Sequence, residues 1–393
     1  MAPPEFDLVL GGVPRFGPEA PWAWRLVRRF ARQMPAGRLS EVRGRKPVVA
    51  DLAGDAPLVI VWADPEAYLA PTAAERLVET LAAFPGADVV LPVSNEAWID
   101  EVRRAPSFAY STPSGLLEAA RLAADSAAPP FPVRSPRSPV FAARRSALEK
   151  LPAALPLEEA PPAVHLAGGR ALADPRAYLH RYAEMDAQAR ADLAEKIPRG
   201  ARAVLDVGCS RGATAAALRA RGVSRIVGVE PDGDDAADAA GVYDRVLVTH
   251  LEDVPPGEFG PEFDAVLFGD VLEHLVDPSD ALARVRPWLT ERGVVVAYVP
   301  NVGHWSIVAD LLAGRFEYIP YSLLSGTHLR HFTRATVRDL FEACGYRVDV
   351  VDTVRLTPSP GGRAKLAILS SWPDASPDLD VAEFLVAATP AGP

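Results

Sequence analysis

The chain has 393 residues, with 41 basic and 51 acidic side chains and a formal net charge of -10. A hydrophobic share of 49% beside 23% charged residues supports a packed core and excludes wholesale disorder; the length suits two or three domains of roughly 100–200 residues each. No apolar run reaches the roughly 18 residues a membrane span needs, so no transmembrane segment is expected, and Met1 to Asp7 lacks the basic-then-apolar order of a secretory signal. Two cysteines, Cys209 and Cys344, are too few for a disulfide framework or a cysteine-rich zinc site, and a reducing cytoplasm is the expected location. Only four basic residues are lysines, which together with abundant Ala and Pro reads as coding bias. Residues 1–180 carry 20 charges of each sign, so the whole negative balance lies in residues 181–393. A nucleic-acid binder carries the opposite sign on its working domain, so nucleic acid is not expected as a partner.

Phe6 to Leu10 predicts a first strand. Trp22 to Met34 follows as a basic amphipathic helix, with Leu26, Val27, Phe30 and Met34 on one face and Arg25, Arg28, Arg29 and Arg32 on the other. Such a helix is either the first helix laid on a sheet or a peripheral contact with an anionic membrane. Leu58 to Trp62 and Asp88 to Pro92 predict further strands, and Pro139 to Leu148 begins as a strand and turns helical. Residues 151–176 are rich in Ala and Pro and read as a break, and a helical stretch from Tyr178 to Ile197 follows. In the second half, strands are predicted at Ala203 to Val207, Arg225 to Val229, Arg245 to Val248, Phe263 to Phe268, Gly293 to Val299, Arg347 to Leu356 and Glu383 to Thr389. Helical patterns fall between them, at Thr214 to Arg221, Pro278 to Leu289 and Arg334 to Ala343. Short β-branched runs alternating with helices predict a mostly parallel sheet covered on both faces.

The strongest local signal is Val204-Leu205-Asp206-Val207-Gly208-Cys209-Ser210-Arg211-Gly212, a strand ending in a glycine turn that opens a helix. Glycine lets backbone approach a ligand closely, and a helix start offers free N–H groups. Glu230 ends the next strand, 22 residues after Gly208, where an acid can accept from both hydroxyls of a ribose. The spacing Gly-x-Gly-x-x-Gly of a dinucleotide-binding turn is absent, which disfavours a nicotinamide dehydrogenase.

Asp206-Val207-Gly208-Cys209 resembles motif I of the class I S-adenosylmethionine-dependent methyltransferases. The run from Phe263 through Gly269-Asp270-Val271-Leu272-Glu273-His274-Leu275 resembles their fourth-strand motif, and Pro300 to Trp305 the segment after the fifth strand. Thr327-His328-Leu329-Arg330-His331-Phe332-Thr333 resembles a stretch of bacterial small-molecule and glycan methyltransferases. The resemblance spans about Tyr178 to Thr389. It implies S-adenosyl-L-methionine as cofactor, with Asp206, Gly208, Cys209, Ser210 and Gly212 shaping the pocket for its methionine part. It also implies Glu230 on the ribose, Leu251 at the adenine and Asp270 near the sulfonium or amino group. Ser210 stands where the family commonly has glycine. His250 stands where an aspartate often meets the adenine amine, a task left to Glu252 or Asp253.

Methyl transfer needs its nucleophile in line and often a base. Glu273, His274, His331 and His304 are the candidate catalytic residues. Asp270, Glu273 and His274 together with His331 also have ligand types suited to a divalent metal, but no metal is expected, because that motif occurs in metal-free relatives. Gly314 to His331 reads as a lid or a substrate-binding segment.

In the first half, Asp64-Pro65-Glu66 resembles the Asp-x-Asp element of family-2-type GT-A glycosyltransferases. Glu158-Glu159 resembles their acidic pair, and His180 a histidine that sometimes completes the metal site. About 50 residues precede Leu58, short of a full nucleotide-binding half, so this domain is expected to be degenerate. The expected architecture is α/β, with a smaller GT-A-like domain at 1–176 and a Rossmann-like methyltransferase domain with a seven-stranded, mostly parallel sheet at 177–393. The expected activity is O-methylation of a sugar, glycan or other small molecule in polysaccharide biosynthesis. The rivals are a bifunctional glycosyltransferase and methyltransferase, and a non-catalytic cofactor-binding scaffold. The oligomeric state is left open.

Overall fold

A computed structural model of the chain describes residues 4–13, 20–43, 45–64, 67–95, 100–104, 111–181, 191–319 and 322–392. The chain divides into two compact units. The first comprises Met1–Ala183 with Glu317–Pro320 and Thr357–Gly362, and the second comprises Glu184–Phe316, Tyr321–Leu356 and Arg363–Pro393.

The first unit is built on β1 (Phe6–Val13), β2 (Leu39–Arg43), β3 (Leu58–Trp62), β4 (Ala67–Leu69), β5 (Val89–Ser94), β6 (Phe131–Pro132), β7 (Val140–Arg144) and β8 (Ala171–Arg181). Their order is β2-β1-β3-β7-β5-β8-β4, with β6 paired to β8. β1 runs parallel to β2 and β3, and β7 is antiparallel to both its neighbours. Every residue of β3 and β5 is buried, as strands covered on both faces must be. The first helix, Ala20–Gln33, buries Val27, Phe30 and Ala31, with Met34 just beyond its end, inside this unit. Its Arg28 pairs with Glu41 at 2.7 Å, and Arg29 pairs with Glu317. The described part of its apolar stripe is therefore already covered by protein.

Two sequence expectations fail at the end of this unit. Residues 151–176 are no bare linker: they hold a helix, Ala160–Leu166, and the start of β8. Tyr178 to Arg181 are strand, not helix, so β8 crosses the expected boundary between 176 and 177. A helix is described over Ala191–Lys196, and residues 182–190 of the expected helical stretch lie outside the described residues. β8 tolerates Pro175 because its register against β5 jumps from Asp174 to Tyr178, a bulge in which a ladder hydrogen bond is not required. Asp174 is fully buried there. It accepts hydrogen bonds from Arg176 Nε at 2.9 Å and Nη2 at 2.8 Å, and from the Thr80 hydroxyl.

The second unit contains β9 (Ala203–Val207), β10 (Arg225–Val229), β11 (Arg245–Leu247), β12 (Phe263–Gly269), β13 (Leu289–Pro300), β14 (Tyr346–Arg355) and β15 (Val381–Pro390). They form one sheet in the order β11-β10-β9-β12-β13-β15-β14. The strands β11 to β13 pair in parallel, and β15 is antiparallel to both β13 and β14. The period-2 alternation of strands divides the apolar residues between two cores. Leu205, Val207, Val227, Val229, Val266 and Phe268 face one core, together with Trp288 and Phe341. Val204, Ile226, Ala265, Leu267, Val296 and Tyr298 face the other, together with Leu193 and Ile197 of the helix Ala191–Lys196 and its flank. No described helix is long and apolar enough to cross a membrane.

Candidate functional site

Because β11, β10, β9, β12 and β13 are parallel neighbours, their carboxyl ends share one edge of the sheet. That edge receives the glycine turn after β9, Glu230 after β10, Leu251 after β11, Asp270 after β12 and His304 after β13. Loops at the carboxyl ends of parallel strands are where such sheets bind ligands.

Gly208 has φ +68 and Gly212 has φ +80. A Cβ on Gly208 would sit 2.6 Å from Val271 Cγ2, so the first turn and the turn after β12 touch where only hydrogen fits. Ser210 holds φ +42, the left-handed region that favours glycine, which gives a physical reason for the family's glycine there. Its backbone N–H donates to Glu230 Oε2 at 2.9 Å, and its hydroxyl to Asp235 Oδ2 at 2.9 Å. Glu230 Oε1 accepts the N–H of Asp232 at 2.9 Å. Both carboxylate oxygens are thereby aimed by backbone, and each keeps a further lone pair for a hydroxyl donor. Burial raises the Glu230 pKa against those two N–H groups, which lower it.

Asp206 is 4% exposed and accepts the Tyr243 hydroxyl at 2.6 Å. Burial pushes its pKa up to about 6 against that hydrogen bond, and the Glu230 charge adds to the rise. Cys209 is buried beside them, and burial raises its thiol pKa, so it packs and does not react. Leu251 is buried at the head of a short 3-10 turn, Leu251–Asp253, while His250, Glu252 and Asp253 are exposed. Asp270 has φ +57, a second strained residue on the same edge.

Glu273 and His274 lie in the 3-10 turn Leu272–His274. Glu273 is 1% exposed. Its carbonyl accepts the N–H groups of Leu329 at 2.7 Å and Arg330 at 3.0 Å, which strap the later histidine segment to this turn. The ring of His328 meets that of His274 edge-on, with centroids 4.8 Å apart. The side-chain ligand atoms of Glu273, His274 and His328 lie within 4.8 Å of one another. The structure thus sets His328, not His331, beside the pair that the sequence selected. His331 is half-buried, packs edge-on to Phe316 at 6.3 Å, and has a pKa lowered by burial. His304 is 2% exposed and caps the helix Trp305–Leu312, with Nδ1 accepting the Ser306 N–H at 3.4 Å. Burial lowers its pKa to about 4. This engagement gives His304 a capping role.

The segment after Gly314 is tied down in part: Leu323 and Leu324 pack with Ile307 and Ala382 in a small core of their own. In the first unit, Asp64 follows β3, whereas Pro65 and Glu66 lie outside the described residues. Glu158 is held by Lys46 Nζ at 2.6 Å, and His180 sits on β8 opposite Tyr68. Tyr243, Asp235 and His328 are the residues that sequence reasoning missed. The first two carry no motif, and His328 lay inside the quoted stretch without being singled out.

A parallel sheet with a glycine turn and an acid on adjacent strand ends defines a Rossmann-like site for a nucleoside-bearing ligand. Residues 177–351 match the family model described as a methyltransferase domain. No curated protein matches the chain. Among solved structures, the chain is similar to a SAM-dependent methyltransferase from Archaeoglobus fulgidus, with 20% identity, 50% of this chain and 91% of that chain covered, and a TM-score of 0.38. It is similar to an S-adenosylmethionine-dependent methyltransferase from Mesorhizobium loti, with 19% identity, coverage of 50% and 95%, and a TM-score of 0.35. It is also similar to the plantazolicin methyltransferase BpumL in complex with SAH, with 12% identity, coverage of 51% and 80%, and a TM-score of 0.36.

Proposed function

We propose that the protein O-methylates a sugar, glycan or other small hydroxyl acceptor in the cytoplasm. The observation that carries the reading is the pair formed by the Gly208 turn and Glu230, whose two oxygens are aimed by the backbone N–H groups of Ser210 and Asp232. The cofactor of this reading is S-adenosylmethionine, which when bound would supply an electrophilic methyl group on its sulfonium to the acceptor oxygen. Glu230 holds the ribose hydroxyls and Leu251 borders the adenine. Asp206 and Asp270 take the cationic end. His331 accepts the acceptor's hydroxyl proton; its lowered pKa keeps the ring neutral near pH 7 and ready as a base.

The first unit is read as a degenerate GT-A-like module that presents or recognises the acceptor. Support comes from Glu158, whose carboxylate is engaged by Lys46. The association of such a module with a methyltransferase domain is what points to a glycan.

Calorimetric titration of S-adenosylmethionine and S-adenosylhomocysteine into wild type and Glu230→Ala tests the core of this reading. Loss of hydrogen bonds to a charged group costs about 1.5–3 kcal/mol, so binding is expected to weaken about 10- to 100-fold in the variant. Equal binding by both proteins would refute the assigned site.

A further inference from the structure

Three side chains beside the cofactor edge are brought together only by the fold. Glu273 and His274 come from the turn after β12, and His328 comes from a segment more than 50 positions later. The two backbone hydrogen bonds from Leu329 and Arg330 to the Glu273 carbonyl fix that encounter. His328 Nδ1 lies 3.3 Å from the Leu323 carbonyl. Donation there assigns the proton to Nδ1 and leaves the Nε2 lone pair for a ligand, the arrangement that orients metal-binding imidazoles.

We propose that Glu273, His274 and His328 bind one divalent first-row transition metal ion, leaving coordination positions for an acceptor oxygen. Two imidazoles and one carboxylate suit Zn2+, Fe2+, Co2+ or Mn2+ better than the all-oxygen shells of Mg2+ or Ca2+. Ligand atoms on a tetrahedral ion sit about 3.4 Å apart, given metal–nitrogen bonds of about 2.0–2.1 Å. The ligand atoms of the present cluster all lie within 4.8 Å of one another, near that spacing. A carboxylate with 1% exposure is costly to keep charged, and a bound cation offsets that cost. The strained backbone of Asp270, three residues before Glu273, also lies at this spot.

The ion's role, though not its binding, rests on the methyl-transfer reading. Coordinated to the ion, the acceptor hydroxyl is more acidic. Its proton passes to His331, its oxygen lone pair forms the bond to the methyl carbon, and the C–S pair stays on sulfur.

The test uses the full chain freed of metal by a chelator. CoCl2 is titrated with visible absorption as the readout and ZnCl2 by calorimetry, with MgCl2 for comparison. One equivalent of Co2+ with visible d–d bands, and one of Zn2+ preferred over Mg2+, is expected. Glu273→Gln and His328→Gln should each weaken binding by more than the about 10- to 100-fold of a lost outer-shell contact. S-adenosylhomocysteine binding is measured on the same samples. Variants that bind it are folded, so unchanged metal affinity in them overturns this inference alone. Lost cofactor binding by wild type, with metal binding intact, overturns the methyltransferase assignment instead. Should the variants fail to fold, 15N spectra of wild-type histidines decide: ring shifts of two histidines on adding Zn2+ support the site, and none overturns it.

Discussion

Tyr243 donates to Asp206 from a position 37 residues away, and that bond tunes the most perturbed acid in the site. With a pKa of about 6 against 3.8 for an ordinary aspartate, Asp206 is neutral below about pH 6 and charged above it. For stability the sign is unfavourable at neutral pH. The folded state holds the extra proton between the two values, so stability is highest below the ordinary pKa and falls as pH rises toward 6. For a cationic ligand the sign reverses, and affinity climbs as pH rises through 6. Removing the phenol in Tyr243→Phe deletes a hydrogen bond of about 1.5–3 kcal/mol to the charged form, equivalent to about one to two pH units. S-adenosylmethionine titrations from pH 5 to 9 should show the rise in affinity displaced upward by that amount in the variant. A superimposable pH profile would refute the coupling. The glycine turn and Glu230 were legible in the sequence because they are close along one βαβ unit. Tyr243 was not, because its pairing is tertiary.

At the scale of elements, the first turn is held by contact with the turn after β12. Gly208→Ala puts a Cβ 2.6 Å from Val271 Cγ2 at a residue with φ +68. Overpacking of this kind costs about 1–3 kcal/mol. Both turns must shift, so S-adenosylhomocysteine affinity should fall at least about tenfold, the equivalent of 1.4 kcal/mol; unchanged affinity with an unchanged melting temperature would show that the contact is not constraining. The first helix makes a second prediction. Val27, Phe30 and Met34 are buried within its own unit, so the protein should not cosediment with vesicles containing anionic lipid at physiological salt. Strong sedimentation would restore the membrane reading of its arginines. The amphipathic pattern of this helix was plain in the sequence, but the surface it covers was not. β8 shows the opposite difficulty: Ala and Pro give it weak strand propensity, and only pairing with β5, β4 and β6 makes it a strand.

At the scale of the whole molecule, the acid excess in residues 181–393 sets the field around the second half of the chain. Neither DNA nor RNA should bind in mobility-shift assays, even at low salt where phosphate contacts are strongest. A shift that weakens with added salt would refute the small-acceptor reading. The strands β9, β10 and β12 were readable because each is a short, largely apolar run buried on two faces. The motif order along the chain carried the proposed class of chemistry, since glycine, acid and the Asp270-to-His274 run are local features tied to strand ends. Only the tertiary structure decided which distant groups meet: Tyr243 with Asp206, and His328 rather than His331 with Glu273. Those encounters depend on strand order and on backbone hydrogen bonds between segments remote in sequence, which no local pattern of residues encodes.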